Sequence, residues 1–283
     1  MRFQREHLET LVAVVDGGTF DAAARALNVT PSAVSQRVKA LEQEFGRVLV
    51  VRARPVAVTD SGAVLVRLAR QQATLEREAA TELGDEGQPR GVPVGVNADS
   101  MATWLLPALA GTGIPVELHR DDQEHTAGML ADGSVMAAVT SRAEPVPGCS
   151  VTRLGVMRYR AVASAGFVER WFPHGVDADA LAIAPVVDFD RKDELQTRWL
   201  HSRTRRAIDP PRLLVPASAD FARAVHLGMG WGMLPDAQLT DGVVHLGGDP
   251  IDVPLYWQQW NLRTAALDAL REAVVAAATS ELR

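Results

Sequence analysis

The 283-residue sequence has a single cysteine, Cys149, which excludes an intrachain disulfide and a zinc site built from several cysteines. It has only two lysines, Lys39 and Lys192, so arginine carries nearly all of the positive charge. No apolar run reaches the ~18 residues of a membrane-spanning helix, and the first residues, MRFQREHLET, are too polar for a signal peptide. These absences predict a cytoplasmic protein that makes no membrane contact.

The sequence also lacks the motifs of common catalytic sites: the G-x-S-x-G elbow, the G-x-x-x-x-G-K-[ST] loop and the H-E-x-x-H zinc motif. Gly228, Gly230 and Gly232 are closely spaced, but they follow a predicted helix rather than a strand, which argues against a dinucleotide fingerprint. The seven histidines show no metal-ligand spacing. We therefore expect no catalytic site, no metal and no cofactor, and an enzyme is the least favoured class of protein.

Length and charge favour a protein of several parts. The chain is long enough for two or three domains, and 47% of its residues are hydrophobic, so large cores can form. Residues 1–67 carry nine lysines and arginines against seven aspartates and glutamates, whereas the remaining residues carry twenty against twenty-eight. A slightly basic head on an acidic body is typical of a nucleic-acid module attached to a second domain.

The stretch TFDAAARALNVTPSAVSQRVKALEQEFG has the pattern of two helices joined by a tight turn. Thr19 is a natural N-cap, and apolar residues follow at helical spacing as far as Asn28, a residue that tolerates the left-handed conformation. Thr30 caps a second helix, in which Pro31 takes the first position and which Gly46 ends. The pattern predicts a helix-turn-helix.

The second helix has a polar face that suits the major groove of DNA. That face carries no carboxylate before Glu42 and consists of Ser32, Ser35, Gln36, Lys39 and Gln43. We expect Ser32, Ser35 and Gln36 to contact base edges, because hydroxyl and amide groups can bond to them. We expect Thr30 and Lys39 to contact the DNA backbone. The alternative is an ordinary solvated helix face, which the agreement of caps, turn and face disfavours.

The next segment, VLVVRARPVAVT, alternates and is rich in β-branched residues, so it predicts a two-stranded wing. Arg52 and Arg54 lie near its tip, where Pro55 turns the chain. Arginines beside a recognition helix would contact phosphates or the minor groove. Two solvated surface arginines are the alternative interpretation.

Two further helices frame this region. Residues 4–17 predict a first helix, whose core-facing side chains are expected to be Leu8, Leu11, Val12 and Val15. A long helix begins at Thr59 or Ser61 and ends near Leu83, and residues 84–91 form a polar hinge. Its narrow apolar stripe comprises Val64 or Leu65, Leu68, Gln72, Leu75, Ala79 and Leu83. A partner helix from a second copy would cover this stripe, unless the body of the same chain does so.

From Val92 onward, strands alternate with helices, which predicts a mostly parallel, doubly wound α/β body. Ligands in such sheets bind at the carboxyl ends of the strands. Polar and acidic residues cluster at those ends, and we take as effector candidates Asp99, Ser100, Asp121, Asp122, Asp188, Asp190 and Ser218. A small zwitterion with an extra positive charge would suit them. Helix capping and a solvated loop are the alternatives for the same residues.

The stretch from Thr19 to Gly62 resembles the LysR-type transcriptional regulators, whose core AAxxLxxTxSAVSxxIxxLExxxG it matches with Pro31 and Val38 as mild variants. Val50 stands where many members have phenylalanine. Within the body, VNADSMATWLLPALA, PVVDFDRKDELQ and LYWQQW resemble the LysG/ArgP branch, which senses basic amino acids and activates an arginine/lysine exporter gene. The resemblance covers the full length of the chain.

The resemblance implies a winged helix-turn-helix, a long linker helix and a two-lobed α/β body of the type II periplasmic-binding-protein kind. The implied boundaries are 1–59 for the DNA-binding domain (helix-turn-helix 19–43), 60–90 for linker helix and hinge, and 91–283 for the effector domain. Within that domain lobe I is 91–160 with 261–283, lobe II is 161–260, and the hinges lie near 160–162 and 256–261. The implied partners are double-stranded promoter DNA, a basic amino acid, a homodimer or homotetramer, and RNA polymerase.

Two rival functions remain at this point. One is a LysR-type regulator that responds to a different small metabolite. The other, less favoured, is a solute-binding protein whose head serves only for assembly.

Overall fold

The computed structural model describes residues 4–84, 91–120 and 123–283. Asp121, Asp122 and most of the predicted hinge 84–91 therefore lie outside the described residues. The helices of the N-terminal head are α1 (Arg5–Gly17), α2 (Phe20–Ala26), α3 (Pro31–Phe45) and the long α4 (Asp60–Glu82). The wing consists of β1 (Val50–Val51) and β2 (Ala57–Val58), which pair antiparallel.

Local capping sets the bounds of the helix-turn-helix, as the sequence predicts. The Thr19 hydroxyl accepts a hydrogen bond from the Ala22 amide (3.1 Å), and that of Thr30 accepts one from the Ala33 amide (3.2 Å). Asn28 has a φ of 53° in the turn between the two helices. The predicted helix-turn-helix is confirmed.

The head has its own apolar core. Leu8, Leu11 and Val14 of α1 are buried against apolar residues of α3 and of the first half of α4. Val12 and Val15, which the sequence assigned to this core, are only partly buried and pack at its edge. The first helix is thus rotated slightly from the predicted orientation.

Helix α4 belongs to both the head and the body. Leu65, Val66 and Ala69 are buried in the head core, and α4 also contacts the body of the same chain. The predicted stripe nevertheless stays largely open: Val64 is 55%, Leu75 46% and Leu83 89% exposed. One face of α4 is therefore covered by the same chain. Cover of the exposed stripe by a partner helix from a second copy stays a prediction.

The body is built on a mixed sheet. Its first lobe (lobe I) contains β3 (Val92–Val96), β4 (Val116–Arg120), β5 (Ala137–Thr140), a helical run of α5 (Ala98–Ser100), a π-helical turn (Met101–Leu105) and α6 (Leu106–Ala110), then α7 (Gln123–Asp132). Two long strands, β6 (Cys149–Ser164) and β11 (Ile251–Trp260), run between the lobes. The closing helix α12 (Ala265–Glu281) packs on lobe I.

The second lobe (lobe II) lies between these two long strands in the sequence. It contains α8 (Ala165–Trp171), α9 (Ala178–Ile183), β7 (Val186–Asp188), α10 (Leu195–Arg203), β8 (Arg212–Leu214), α11 (Ser218–His226), β9 (Gly232–Pro235) and β10 (Val243–His245). The predicted strand LAIAPVVDF is partly wrong, because the Asp177 carboxylate caps its first residues as a helix by accepting a hydrogen bond from the Ala180 amide (2.9 Å).

The expectation of a mostly parallel sheet is also wrong. Strand β3 pairs in parallel with β4 and β5, and β7 pairs in parallel with β8. Strand β11, however, pairs antiparallel with β5 and β6, and β6 pairs antiparallel with β9 and β10. The chain crosses to the second lobe on β6 and returns on β11, so these strands must run in opposite directions. The two-lobed α/β architecture itself is confirmed.

Candidate functional site

The polar face of α3 is open to solvent. Ser32, Gln36 and Lys39 are exposed at spacings of four and three residues, which places them on one side of the helix, and Ser35 beside them is half-buried. The Glu42 carboxylate is directed toward the wing, where it accepts a hydrogen bond from the Leu49 amide (3.0 Å). The face thus offers hydroxyl, amide and ammonium groups to a ligand.

The wing places its arginines beside the helix-turn-helix. The Arg52 guanidinium lies 5.0 Å from the centre of the Phe20 ring, a cation–π contact at the start of α2. The Val56 amide donates to the Gly18 carbonyl (2.8 Å), which ties the wing to the turn before α2. Arg54 is exposed at the tip. Contact of Arg52 and Arg54 with DNA remains a prediction.

Arg37, which the sequence did not single out, fixes the recognition helix to the rest of the head. Its guanidinium binds the Glu6 carboxylate (2.9 Å) and the Thr10 hydroxyl (3.4 Å), both on α1. The arginine points away from the polar face and orients it. In the sequence, an arginine next to Gln36 could contact either DNA or α1, so its position alone does not reveal its role.

In the body, Asp99 connects the two lobes. Asp99 lies in α5, at the start of the first helical run of lobe I, and its carboxylate accepts a hydrogen bond of 2.6 Å from the Tyr159 hydroxyl on β6. The Ser218 hydroxyl, at the start of α11 in lobe II, also acts on this carboxylate and lowers its pKa. The Gln238 amide in turn donates to the Ser218 hydroxyl (2.8 Å). Two predicted effector residues from different lobes are thus brought together.

The electrostatics of Asp99 are unusual for a carboxylate. Burial raises its pKa above the ordinary value, the donors Ser218 and Tyr159 oppose the rise, and the nearby charge of Asp193 adds to it. Burial and the Asp99 charge raise the pKa of the Tyr159 hydroxyl well above its usual range. Within the part of the chain that the structure describes, the ionised form of Asp99 therefore lacks a positive partner at the junction of the lobes.

Ser100 follows Asp99 and is fully buried. Its amide donates to the Asn97 side chain (2.7 Å), whereas its hydroxyl oxygen has no hydrogen-bond partner among the described residues. A buried hydroxyl without a partner is uncommon, and a ligand could supply one.

Asp188 ends β7 and is a buried acid, with a side chain only 2% exposed. One carboxylate oxygen accepts a hydrogen bond from Arg212 (2.7 Å), and the other has no partner among the described residues. Burial raises the pKa of Asp188, and Arg212 partly offsets that rise. Asp188 lines an open pocket with Asp193 and Arg212.

Asp190 has a local structural role. Its carboxylate accepts hydrogen bonds from the amides of Lys192 (2.7 Å) and Asp193 (3.0 Å), which closes the turn before α10. Asp193 binds the amides of Phe189 (3.0 Å) and Leu195 (3.1 Å) in the same turn. Asp190 therefore closes a turn and does not cap α10, whose N-cap position is Glu194, and its side chain also lines the pocket beside Asp188.

Three residues of this region carried no sequence signal: Tyr159, Gln238 and Arg120. Tyr159 lies within a long strand, and Gln238 in a short turn after β9. The Arg120 guanidinium, at the end of β4, donates to the Pro216 carbonyl of lobe II (3.2 Å) and thereby spans the lobes. Only the folded chain brings them to the cleft between the lobes.

A winged helix-turn-helix joined by a long helix to a two-lobed body defines a DNA-binding regulator with a ligand-binding domain. The family described as bacterial regulatory helix-turn-helix protein, lysR family, matches residues 5–63, and the LysR substrate binding domain matches residues 85–279. The chain belongs to the LysR family; it is a transcriptional regulator and not an enzyme.

The similarity extends to individual relatives. The chain is 45% identical over 284 residues to the HTH-type transcriptional regulator LysG of Mycobacterium tuberculosis, covering 98% of this chain and 94% of that protein. The crystal structure of ArgP from Mycobacterium tuberculosis superimposes with a TM-score of 0.91, at 44% identity and with 100% and 99% of the two chains covered. Full-length LysG from Corynebacterium glutamicum with bound effector Arg gives 0.84, at 37% identity and with 99% and 100% covered.

No helix in residues 4–84, 91–120 and 123–283 is both long and apolar enough to cross a membrane.

Proposed function

We propose that this regulator binds lysine or arginine in the cleft between its lobes and, in response, activates transcription of a gene for a basic-amino-acid exporter. The observation that carries the proposal is Asp99, a half-buried carboxylate that accepts a hydrogen bond from Tyr159 and has no positive partner among the described residues. A cationic ligand would supply that partner. The relatives named as lysine export regulators and the relative with bound arginine support the choice of ligand.

The candidate effector residues would bind different groups of the amino acid. Asp99 and Asp188 would meet the two positive groups of a basic amino acid, because each has a raised pKa caused first by burial. Ser100, with its unpartnered hydroxyl, and Ser218, at the start of α11, would meet the carboxylate. Asp190 would contribute negative charge to the cleft, and Asp121 and Asp122 stay candidates outside the described residues.

On the DNA side, Ser32, Ser35 and Gln36 would read base edges in promoter DNA. Thr30, Lys39, Arg52 and Arg54 would contact its backbone. The protein would work in the cytoplasm, where promoter DNA and RNA polymerase are present. A homodimer or homotetramer would place two recognition helices on two half-sites.

Calorimetry with arginine, lysine and histidine tests the ligand, with glutamine and glutamate as neutral and acidic controls. Heat from arginine or lysine, but not from the controls, supports the proposal. No heat from any basic amino acid would reject the ligand and favour a LysR-family regulator of another metabolite.

Effector affinity should depend on pH. A cation binds the ionised form of Asp99, and burial raises the pKa at which that form is lost. We therefore expect arginine affinity to fall as the pH falls through the raised pKa of Asp99, with Asp188 contributing in the same direction. Titration calorimetry between pH 5 and 8, in buffers of different ionisation enthalpy, should show proton release on binding, more at the acid end. Affinity that is flat with pH would contradict a binding role for either acid.

The exposed stripe of α4 predicts an interface between copies. Leu75→Asp places a charge on this stripe, at a residue that is 46% exposed in the single chain. We expect association to weaken at least ~10-fold, because an unpaired charge would have to be buried. Sedimentation velocity measures the change. Ala73→Asp adds the same charge on another exposed face of α4 and should leave the mass unaltered; equal masses for both variants and the wild type would rule out this interface.

A further inference from the structure

Arg70 of α4 lies where the head, the linker helix and lobe I meet. One guanidinium nitrogen, Nη1, donates to the carbonyl of Asp132, the last residue of α7 (3.2 Å), and to the hydroxyl of Ser134 in the turn that follows (3.2 Å). The other, Nη2, binds the carboxylate of Asp16 near the end of α1. The side chain is only 18% exposed. A single planar group thus touches the DNA-binding head and the effector-binding body.

The turn that Arg70 binds is internally hydrogen-bonded and closely packed. The Asp132 carboxylate accepts hydrogen bonds from the Ser134 amide (2.8 Å) and hydroxyl (2.7 Å). Gly133 has a φ of +83°, and a Cβ there would lie 3.0 Å from the Trp260 ring and 3.1 Å from Arg67 Cα. No side chain fits between this turn and α4, so displacement of the turn must move the helix or break the contact.

Trp260 connects the same turn to the cleft. It is the last residue of β11, one of the two long strands between the lobes, and its indole N–H donates to the Leu130 carbonyl of α7 (3.3 Å). A shift of β11 when the lobes move would therefore reach the end of α7. Arg70 contacts both the end of α7 and Asp16 of α1, so it would pass this shift to the head.

Three other polar residues of α4 each join it to one side. Arg67 donates to the Pro147 carbonyl of the body (2.6 Å), and Glu78 accepts from the Ala265 amide at the start of α12 (2.8 Å). Glu76 pairs with Arg5 of the head (3.1 Å). Arg70 differs from these residues because its fork engages both sides at once, and a guanidinium fixes the direction of each bond.

We propose that Arg70 is the positioning residue that transmits the arrangement of the effector domain to the DNA-binding head, through the turn after α7 on one side and Asp16 on the other. The inference rests on the proposed function for the identity of the effector, but not for the contact itself. A direct contact between the body and the head lets a rearrangement of the effector domain shift the head, provided that the effector binds one arrangement more tightly than the other.

Three single variants test this role. Arg70→Ala removes both sets of contacts, Asp16→Asn removes the charged contact with the head, and Arg67→Ala is the control that loosens the body without touching the head. For each, DNA affinity and footprint are measured with and without arginine, and arginine binding by calorimetry. We expect Arg70→Ala and Asp16→Asn to bind DNA and arginine within about threefold of wild type. Their arginine-dependent change in DNA binding should fall at least ~5-fold, the low end of typical coupling between sites.

The control should behave differently. Arg67→Ala should keep its arginine response. A fourth variant, Arg70→Lys, should be intermediate, because one ammonium cannot span all three partners. A wild-type response in both Arg70→Ala and Asp16→Asn would overturn the proposal.

Hydrogen exchange gives a reading that does not need the effector. In Arg70→Ala, exchange should rise together at the Gly18 amide after α1 and at the Val135 amide after α7, which donate to Val15 and Met129 in the folded protein. Arg67→Ala should leave Gly18 unchanged. If wild type fails to bind arginine but the two segments still respond together, the ligand is wrong and the junction is right. Unchanged exchange at both segments in Arg70→Ala would refute the junction.

Discussion

Asp99→Asn is expected to weaken binding of arginine and lysine at least ~30-fold. Removing one partner of a buried charge pair costs about 2–5 kcal/mol, because the remaining charge stays desolvated without compensation. Here the remaining charge would be the ligand's ammonium or guanidinium group. Asparagine has nearly the same shape and keeps an oxygen that can accept from the Tyr159 hydroxyl, so the cleft should retain its geometry.

The thermal stability of Asp99→Asn should show whether weaker binding comes from the lost charge or from a damaged fold. The pKa of Asp99 is raised in the folded protein, so the stability linked to this group is fully present below its unfolded pKa and is lost as the pH rises through its folded pKa. At neutral pH without ligand, Asp99→Asn should therefore melt at the same temperature as wild type or higher. Wild type should gain about 2.7 kcal/mol at an arginine concentration of 100 times Kd, whereas the variant should gain little.

A matched control removes a carboxylate elsewhere in the body. Asp252 pairs with Arg158 (2.7 Å), which lowers the pKa of the Asp252 carboxyl. Asp252→Asn should leave arginine affinity within about twofold, since exposed ion pairs contribute little. Arginine binding by Asp99→Asn within threefold of wild type would transfer the cationic site to Asp188, whose second carboxylate oxygen is also without a partner among the described residues.

The head could be predicted almost residue by residue because its determinants are local. Thr19 and Thr30 bind amides three residues further on, so their effect is visible in the sequence itself. The orientation of α1 was less accurate, because burial of Val14 depends on packing against α3 and α4. The sequence likewise did not reveal that α4 packs in the head core and also contacts the body, because these contacts depend on residues far away in the chain.

The cleft could be predicted only in part because its determinants are far apart in the chain. Asp99 and Ser218 could be placed at strand ends, and the fold brings their side chains together. Tyr159 joins them from the middle of β6, where a polar residue looks like any other in a strand. The direction of β6 and β11 follows from the chain crossing between lobes and back, which alternation of helices and strands does not reveal.

Gln36→Ala is the second change with a large expected effect, about 1–3 kcal/mol at a single base position. Gln36 is exposed one turn after Ser32, in the half of α3 that faces the groove when such a helix docks. Its amide can bond to a base edge at two points, so its loss should relax the preference for one base and leave the other positions unchanged. Site selection on a randomised operator measures this loss of preference.

Lys39 and Gln43 provide the comparisons that make the result specific. Lys39→Ala should weaken binding to all sequences alike and reduce the slope of log affinity against log salt by about one, as expected for a phosphate contact. Gln43 has the same side chain as Gln36 and is also exposed, but lies about two turns further toward the end of α3. Gln43→Ala should change no base preference. If Gln36→Ala behaves like Lys39→Ala, with uniform weakening and a reduced salt slope, Gln36 contacts the DNA backbone and another residue reads the base.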